Sequence, residues 1–230
     1  MKILKPEETL TIIIARMGSS RLPGKILKSI GNHSVLEFIY ERSKQLLNWP
    51  NIILATTEDK KDDQLARAAE SLGLNIFRGS ENDVAQRFYS SSNNFNKIKW
   101  LHRLNADNIF FDLEGINTIY NTEIEDDISI ISNVTKEHIP GLSIELIKKD
   151  LYLNAMHNFT DTDKEHVTKY FYDNSKGYGN KIKWLPNNSK YKKVVLDTHE
   201  ELEFIDSFIR KFEIKPNSTM KEIQNSLNNV

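Results

Sequence analysis

Short apolar runs recurring between longer amphipathic segments constrain this chain more than any other feature. LTIII, NIILATT, LNIFRG, IKWLHRL and DISIIS are rich in β-branched residues and bounded by polar or glycine-containing turns, so each reads as a strand. A segment of helical period separates each run from the next. After the first run and its loop, Val35, Leu36, Ile39, Leu46 and Leu47 make an apolar stripe with Glu37, Glu41 and Lys44 between them. KKDDQLARAAESLG closes on Gly73, placed as a C-cap before the next strand. Strand and helix in alternation predict an α/β fold of crossover units around a mostly parallel central sheet.

Beyond about Asn133 the alternation fails. GLSIELIKKDL reads as extended and then helical, DKEHVTKYFYDN as helical, NKIKWLP and KKVVLD as strands, and THEELEFIDSFIRKF as an amphipathic helix with Thr198 as N-cap. At 230 residues the chain suffices for one large core. The expectation is a single Rossmann-like domain over residues 1–230 with a smaller insertion at about 134–192.

Charge narrows the partners. Lys plus Arg number 31 against 32 for Asp plus Glu, a net charge of -1, so no global field draws the chain to nucleic acid or to an anionic membrane. Any anion must be held locally. With no cysteine, disulfides, thiolate metal sites and cysteine nucleophiles are excluded together. The N-terminal MKILKPEETL mixes acids with bases, and the following TIIIA is too short for a signal or a membrane span, so the expected location is cytoplasmic. The sequon NVT at Asn133 is read as chance in an Asn-rich chain.

The most informative stretch is TIIIARMGSSRLPGKIL, Thr11 to Leu27. A strand, a tight turn and a helix N-terminus are where an α/β sheet meets phosphate, because backbone N–H groups converge there. Gly18 and Gly24 permit a tight turn and close approach, and Arg16, Arg21 and Lys25 add charge-assisted donors. Three cations so close together suggest a polyphosphate; a solvated basic turn is the plain alternative. A Walker A loop fails on spacing: five residues separate Gly18 from Gly24 where four are required, and Ile26 follows Lys25 where a hydroxyl is needed. No G-x-G-x-x-G dinucleotide motif occurs either.

A polyphosphate brings Mg²⁺, which takes one or two carboxylates plus phosphate and water oxygens. Asp107 in HRLNADN and Asp197 in VVLDTHEE each follow a predicted strand, where such sheets place ligands. Either is alternatively a turn or N-cap aspartate, Asp197 especially, since a helix starts beside it. RGSENDVAQRF reads as a loop entering a helix, with Ser80 or Asn82 as cap. HEELE at His199 lacks the second histidine of a zincin, and no G-x-S-x-G elbow exists.

ARMGSSRLPGK, followed in order by VLEFIYER, ATTEDKKDD, FRGSENDVAQRF, EHVTKYFYD and LDTHEEL, resembles the cytidylyltransferases related to spore coat polysaccharide biosynthesis proteins and to the synthetases of CMP-sialic acid and CMP-3-deoxy-octulosonate. The resemblance runs from Thr11 to about Phe212. It implies the nucleotide-diphospho-sugar transferase version of the Rossmann-like fold, with 134–192 as an insertion and dimerisation subdomain, and a homodimer. It implies that the loop wraps CTP, with Arg16 and Lys25 on the phosphates and Gly18, Ser19, Ser20 and Arg21 beside them. Ala55, Thr56 and Thr57 would flank the base, and the segment of Arg78, Ser80, Asp83 and Arg87 would lie near the ribose. Asp107 and Asp197 would hold Mg²⁺, with Arg103 matching the family pattern R-x-T-G-D-x-P; Asn105, Ala106 and Ile109 depart from it, as does His199 from the proline expected after Thr198.

Glu145, Glu165 and His166 would face the sugar and the partner subunit, although for His166 packing against Tyr170 is the stronger expectation. Tyr170, Phe171 and Tyr172 read as core or dimer surface. The implied reaction activates an acidic, ulosonic-acid-like sugar as its CMP derivative with loss of pyrophosphate, for surface polysaccharide synthesis. Transfer of another nucleotide, a sugar- or polyol-phosphate acceptor, and a non-catalytic nucleotide-binding homologue are the alternatives.

Overall fold

The computed structural model describes residues 1–187 and 190–230, so residues 188 and 189 of the expected insertion lie outside the described part. Seven strands form the central sheet: β1 (Thr9–Ile14), β2 (Ile52–Thr57), β3 (Asn75–Gly79), β4 (Trp100–Asn105), β5 (Ile130–Ser132), β6 (Glu145–Lys148) and β7 (Ile182–Trp184). Their order across the sheet is β3-β2-β1-β4-β6-β5-β7. β1 to β4 are parallel, β5 and β7 are parallel to each other, and β6 runs antiparallel to both of its neighbours. The expected α/β architecture with a mostly parallel sheet is the one observed.

Alternating side chains feed two cores. On β2, Ile52 and Leu54 face one core while Ile53 and Ala55 face the other, the period of two that a strand covered on both faces requires. The helices are α1 (Val35–Ser43), α2 (Asp63–Ser71), α3 (Val84–Ser90), α4 (Leu113–Ile119), α5 (Lys149–Met156), α6 (Asp161–His166), α7 (Lys169–Asp173), α8 (Ser175–Tyr178), α9 (His199–Phe212) and α10 (Met220–Leu227). α1, α2, α4, α9 and α10 pack on the first face, and α3, α5 and the short helices α6 to α8 on the second.

Two devices return the C-terminal part to the first strands. Arg42 on α1 is fully buried and donates to the carbonyls of Phe111, Pro216 and Ser218, a bracket across three segments. α9 docks on the hairpin Ser29–Ile30/His33–Ser34: the Gly31 N–H donates to Asp206 at 2.7 Å, and a Cβ on Gly31 would stand 2.6 Å from Ile209 Cγ2. With φ +59, this position takes glycine for both reasons. α9 thereby carries Asp197, just before its first turn, back over the opening loop.

Four local expectations give way. KKVVLD forms no strand; Leu196 N–H instead makes a single bond to the Asp107 carbonyl at 3.1 Å. DKEHVTKYFYDN is interrupted at Val167, whose φ of 59° and ψ of -58°, with Thr168 N–H on the His166 carbonyl at 2.6 Å, make the rare hand of γ-turn. Asp83, not Ser80 or Asn82, caps α3, accepting from Gln86 N–H at 2.8 Å. The opening loop does not run straight into a helix N-terminus: a 3₁₀ turn, Lys25–Leu27, and the hairpin intervene, and α1 is closed by its own Ser34–Glu37 capping box.

Candidate active site

The strand order turns back between β1 and β4, and a crevice opens beyond the carboxyl ends of strands at such a switch point. Here a cleft of about 380 Å³ lies there, floored by Ile14 and Ala15 from β1 and by Asn105 and Ala106 from β4. Arg16, Gly18, Ser19, Ser20, Arg21 and Lys25 line one wall. Arg87, Arg103, Asp107, Glu165, His166 and Asp197 complete it.

Hydrogen bonding within the loop explains its shape. Met17 N–H donates to the fully buried Asp62 at 2.6 Å, and the same carboxylate takes the Thr57 hydroxyl, so Asp62 ties the loop to the end of β2. Gly24, at φ 68°, reverses the chain into the 3₁₀ turn and sends its N–H to the Met17 carbonyl at 3.0 Å. Gly18 is not in a left-handed conformation. The N–H groups of Gly18, Ser20 and Arg21 find no acceptor among the described residues. Free donors beside two arginines and a lysine are what an anion needs.

The two aspartates converge. Lys25 Nζ donates to the Leu196 carbonyl at 2.9 Å and to Asp197 Oδ1 at 3.1 Å, and lies 3.9 Å from Asp107 Oδ2. Arg21 pairs with Asp197 Oδ2. Asp197 does not cap α9: Thr198 does, with Glu201 accepting from both the Asp197 and Thr198 N–H groups at 2.7 and 3.0 Å, which leaves the Asp197 carboxylate turned to the cleft. Burial raises the pKa of Asp107; Lys25 opposes the rise and Asp197 adds to it.

Asp107 Oδ1 is buried with no hydrogen-bond partner, an unmet demand for a cation beside a second carboxylate. Hard oxygen donors of this kind fit Mg²⁺. No group of three or more His, Cys, Asp or Glu able to hold an ion occurs among the described residues, so a nucleotide's phosphate oxygens would have to share the coordination.

Behind the loop, Arg87 is 2% exposed, donates to the Ser80 carbonyl, and has a buried Nε without a partner. Burial, with Arg16 adding to it, pushes its pKa down to about 10, so a nearby anion would relieve it. Arg16 reaches Glu81 at 3.5 Å.

A second cleft, of about 460 Å³, continues from the first and shares Arg103, Asn105 and His166 with it; His138, Ser143, Glu145, Thr168, Lys169 and Tyr172 also line it. Arg103 is fixed by one nitrogen alone: Nη1 reaches Glu145 Oε1 at 3.1 Å and the Thr168 hydroxyl at 2.8 Å, while the buried Nε has no partner. Glu145, 3% exposed, also accepts from Thr168 at 2.5 Å and Tyr172 at 2.8 Å. Its carboxylate is therefore spent on holding Arg103. His166 is exposed where the two clefts meet, and Tyr170 packs on Phe159 and Phe171 instead of on His166. Phe171 is core, whereas the Tyr172 hydroxyl belongs to the Glu145 network, with burial holding its pKa well above the usual value.

The remaining residues singled out in the sequence lie outside the cleft lining. Ala55, Thr56 and Thr57 are fully buried at the end of β2. Arg78 is engaged by the Thr57 and Asp59 carbonyls and by Asp63 at 2.7 Å. Ser80 accepts from Asp83 N–H, and Asp83 caps α3. The sequence gives no sign of the roles of Asp62 and Thr168, and marks Tyr172 only as core or dimer surface, because these roles exist only through contacts with distant segments. Of the departures from the family pattern, Ala106 and Ile109 are buried core residues.

The chain is 38% identical over 164 residues to the uncharacterized protein MJ1063 of Methanocaldococcus jannaschii, covering 71% of this chain and 66% of that protein. It is 28% identical to the spore coat polysaccharide biosynthesis protein SpsF of Bacillus subtilis over 96% of this chain and 94% of that one. It is 30% identical to the 8-amino-3,8-dideoxy-manno-octulosonate cytidylyltransferase of Shewanella frigidimarina over 70% of this chain, spanning 62% of that enzyme.

Among solved structures, a cytidylyltransferase from Leptospira borgpetersenii superposes with a TM-score of 0.88 at 27% identity, over 96% of this chain and 94% of that one. CMP:2-keto-3-deoxy-manno-octonic acid synthetase complexed with CTP shares the fold, with a TM-score of 0.68 at 15% identity over 90% of this chain and 100% of that one. The cytidylyltransferase family model matches residues 10–228, and the chain belongs to that family.

Proposed function

We propose that this cytidylyltransferase couples CTP to an acidic, ulosonic-acid-like sugar, forming the CMP-sugar and pyrophosphate for surface polysaccharide synthesis. The observation that carries the reading is the convergence of Asp107 and Asp197 with Arg16, Arg21 and Lys25 on one cleft that opens into a second. The acceptor hydroxyl oxygen attacks the α-phosphorus in line and gives up its proton to solvent; the new P–O bond forms as the bond to the bridging oxygen breaks, and pyrophosphate leaves with that electron pair. Arg16, Arg21 and the free N–H groups of Gly18 and Ser20 hold the triphosphate, and Arg87 supports them from beneath. Mg²⁺ held by Asp107 and Asp197 with phosphate oxygens supplies charge neutralisation at the α-phosphate when bound.

The second cleft takes the acceptor. Arg103 keeps donors free on its fixed guanidinium for a carboxylate, and His166 sits at the junction to orient the attacking hydroxyl. The names of two relatives, the 8-amino-3,8-dideoxy-manno-octulosonate cytidylyltransferase and the spore coat polysaccharide biosynthesis protein SpsF, support an acidic sugar and polysaccharide synthesis.

The reading takes residues 1–230 as one nucleotidyltransferase domain working in the cytoplasm as a homodimer, with 134–192 as the insertion that meets the partner. β7 is one of the two edge strands of the sheet and carries Trp184, 44% exposed, which supports such a contact. No helix among the described residues is long and apolar enough to cross a membrane.

The test offers CTP, UTP, GTP and ATP in turn with 3-deoxy-manno-octulosonate, its 8-amino analogue and other ulosonic acids, and measures pyrophosphate. Release with CTP alone, dependent on an ulosonic acid, is expected. Release with another nucleotide and a sugar phosphate, or CTP binding without turnover on any acid, would overturn it.

A further inference from the structure

Lys25 is not poised in open cleft. Its side chain is 15% exposed, and its ammonium bonds Asp197 Oδ1 at 3.1 Å and the Leu196 carbonyl at 2.9 Å and lies 3.9 Å from Asp107 Oδ2. Two carboxylates from distant segments of the chain meet on one cation, and Arg21 covers the outer oxygen of Asp197. The backbone beneath is fixed by the 3₁₀ turn, with Leu27 N–H on the Gly24 carbonyl at 2.9 Å and Lys28 N–H on the Lys25 carbonyl at 3.1 Å. Only the four-carbon stem needs to move for the ammonium to exchange partners.

We infer that Lys25 is the built-in counterion of the Asp107–Asp197 pair: a positioning residue that holds the carboxylates together in the free protein, competes with a divalent cation for them, and turns to the phosphates once cation and triphosphate are both present. The inference rests on the nucleotide reading above and adds a thermodynamic consequence. A divalent cation alone must displace a tethered ammonium that has nowhere comparable to go, so it binds weakly. A triphosphate offers Lys25 a new partner, so cation and nucleotide each tighten the other by the same factor.

The test uses the full chain and Mn²⁺ as the probe, with free Mn²⁺ read by electron paramagnetic resonance, without and then with CTP. Lys25→Met is expected to bind Mn²⁺ at least tenfold tighter than the wild type in the absence of nucleotide, even though its Tm falls, because a bridge is lost while a competitor is removed. Lys25→Arg, which keeps a cation, is expected to keep the weak binding. A bridge with only a structural role would lower Tm and Mn²⁺ affinity together or leave the affinity unchanged, and either result in Lys25→Met overturns the inference. Should Lys25→Met not fold, the wild type still decides: Mn²⁺ bound as tightly without CTP as with it overturns the proposal. If the wild type binds Mn²⁺ only with CTP yet Lys25→Met gains nothing, this inference alone fails. If no protein binds Mn²⁺ even with CTP, the nucleotide reading fails with it.

Discussion

Glu145→Gln tests how firmly the acceptor side of the site is held. The carboxylate is buried and serves three donors: Arg103 Nη1 at 3.1 Å on Oε1, and Thr168 and Tyr172 at 2.5 and 2.8 Å on Oε2. A glutamine amide satisfies the two hydroxyls only with its oxygen at the Oε2 position, which turns its NH₂ against the Arg103 guanidinium, donor against donor. Removing one partner of a buried ion pair costs about 3–5 kcal/mol, and the retained hydroxyl bonds place this case at the low end, about 3 kcal/mol. For a chain of this length that is roughly 6–12 °C in Tm. Urea denaturation read by circular dichroism and fluorescence measures it, with an unchanged m-value showing that stability alone has moved. Arg103 is also released, so the KM for the acidic acceptor is expected to rise at least tenfold while the KM for CTP changes little. Stability within about 0.5 kcal/mol of the wild type, with an unchanged acceptor KM, would show that the network does not hold Arg103.

Two further perturbations follow from buried polar groups. His102 on β4 is fully buried, with Nδ1 3.0 Å from the hydroxyl of Thr11 on the neighbouring β1 and Nε2 unpartnered, and burial pushes its pKa down to about 4. The unfolded chain therefore takes up a proton that the folded one refuses: this stability is fully present above the unfolded pKa of about 6.5 and falls by about 2 kcal/mol between pH 6.5 and 5. Denaturation curves across that window should show the loss, and His102→Gln should flatten it. Thr198→Ala removes the cap of α9, whose hydroxyl accepts from Glu201 N–H at 3.2 Å, and should cost about 1 kcal/mol by denaturant titration while weakening Mn²⁺–CTP binding, because the same turn aims Asp197.

The sheet was legible because β1 to β4 combine a short apolar run with a following amphipathic segment, and the crossover rule then permits little but a parallel sheet. β6 and β7 were found as extended segments, but their places in the sheet depend on partners that no local pattern names. The loop cations and both aspartates were also legible, as charged residues just past strand ends.

What stayed hidden is tertiary. KKVVLD has the composition of a strand but no neighbour to pair with, since its one ladder-like bond goes to Asp107. Val167 breaks a helical pattern because Tyr152, buried under it, holds its carbonyl at 2.9 Å, and a β-branched residue gives no sign of a positive φ. Asp62 sits in an acidic run, EDKKDD, in which nothing marks the one carboxylate that turns inward to hold the loop.

Asp107→Asn puts the central claim to the most direct test, with pyrophosphate release from CTP and the acidic sugar followed in the same preparation whose folding is checked by thermal denaturation. The account predicts a loss of turnover of about a thousandfold or more with a Tm no lower than the wild type's, since burial already disfavours the charge that the substitution removes. A folded Asp107→Asn protein that turns over at the wild-type rate would contradict it.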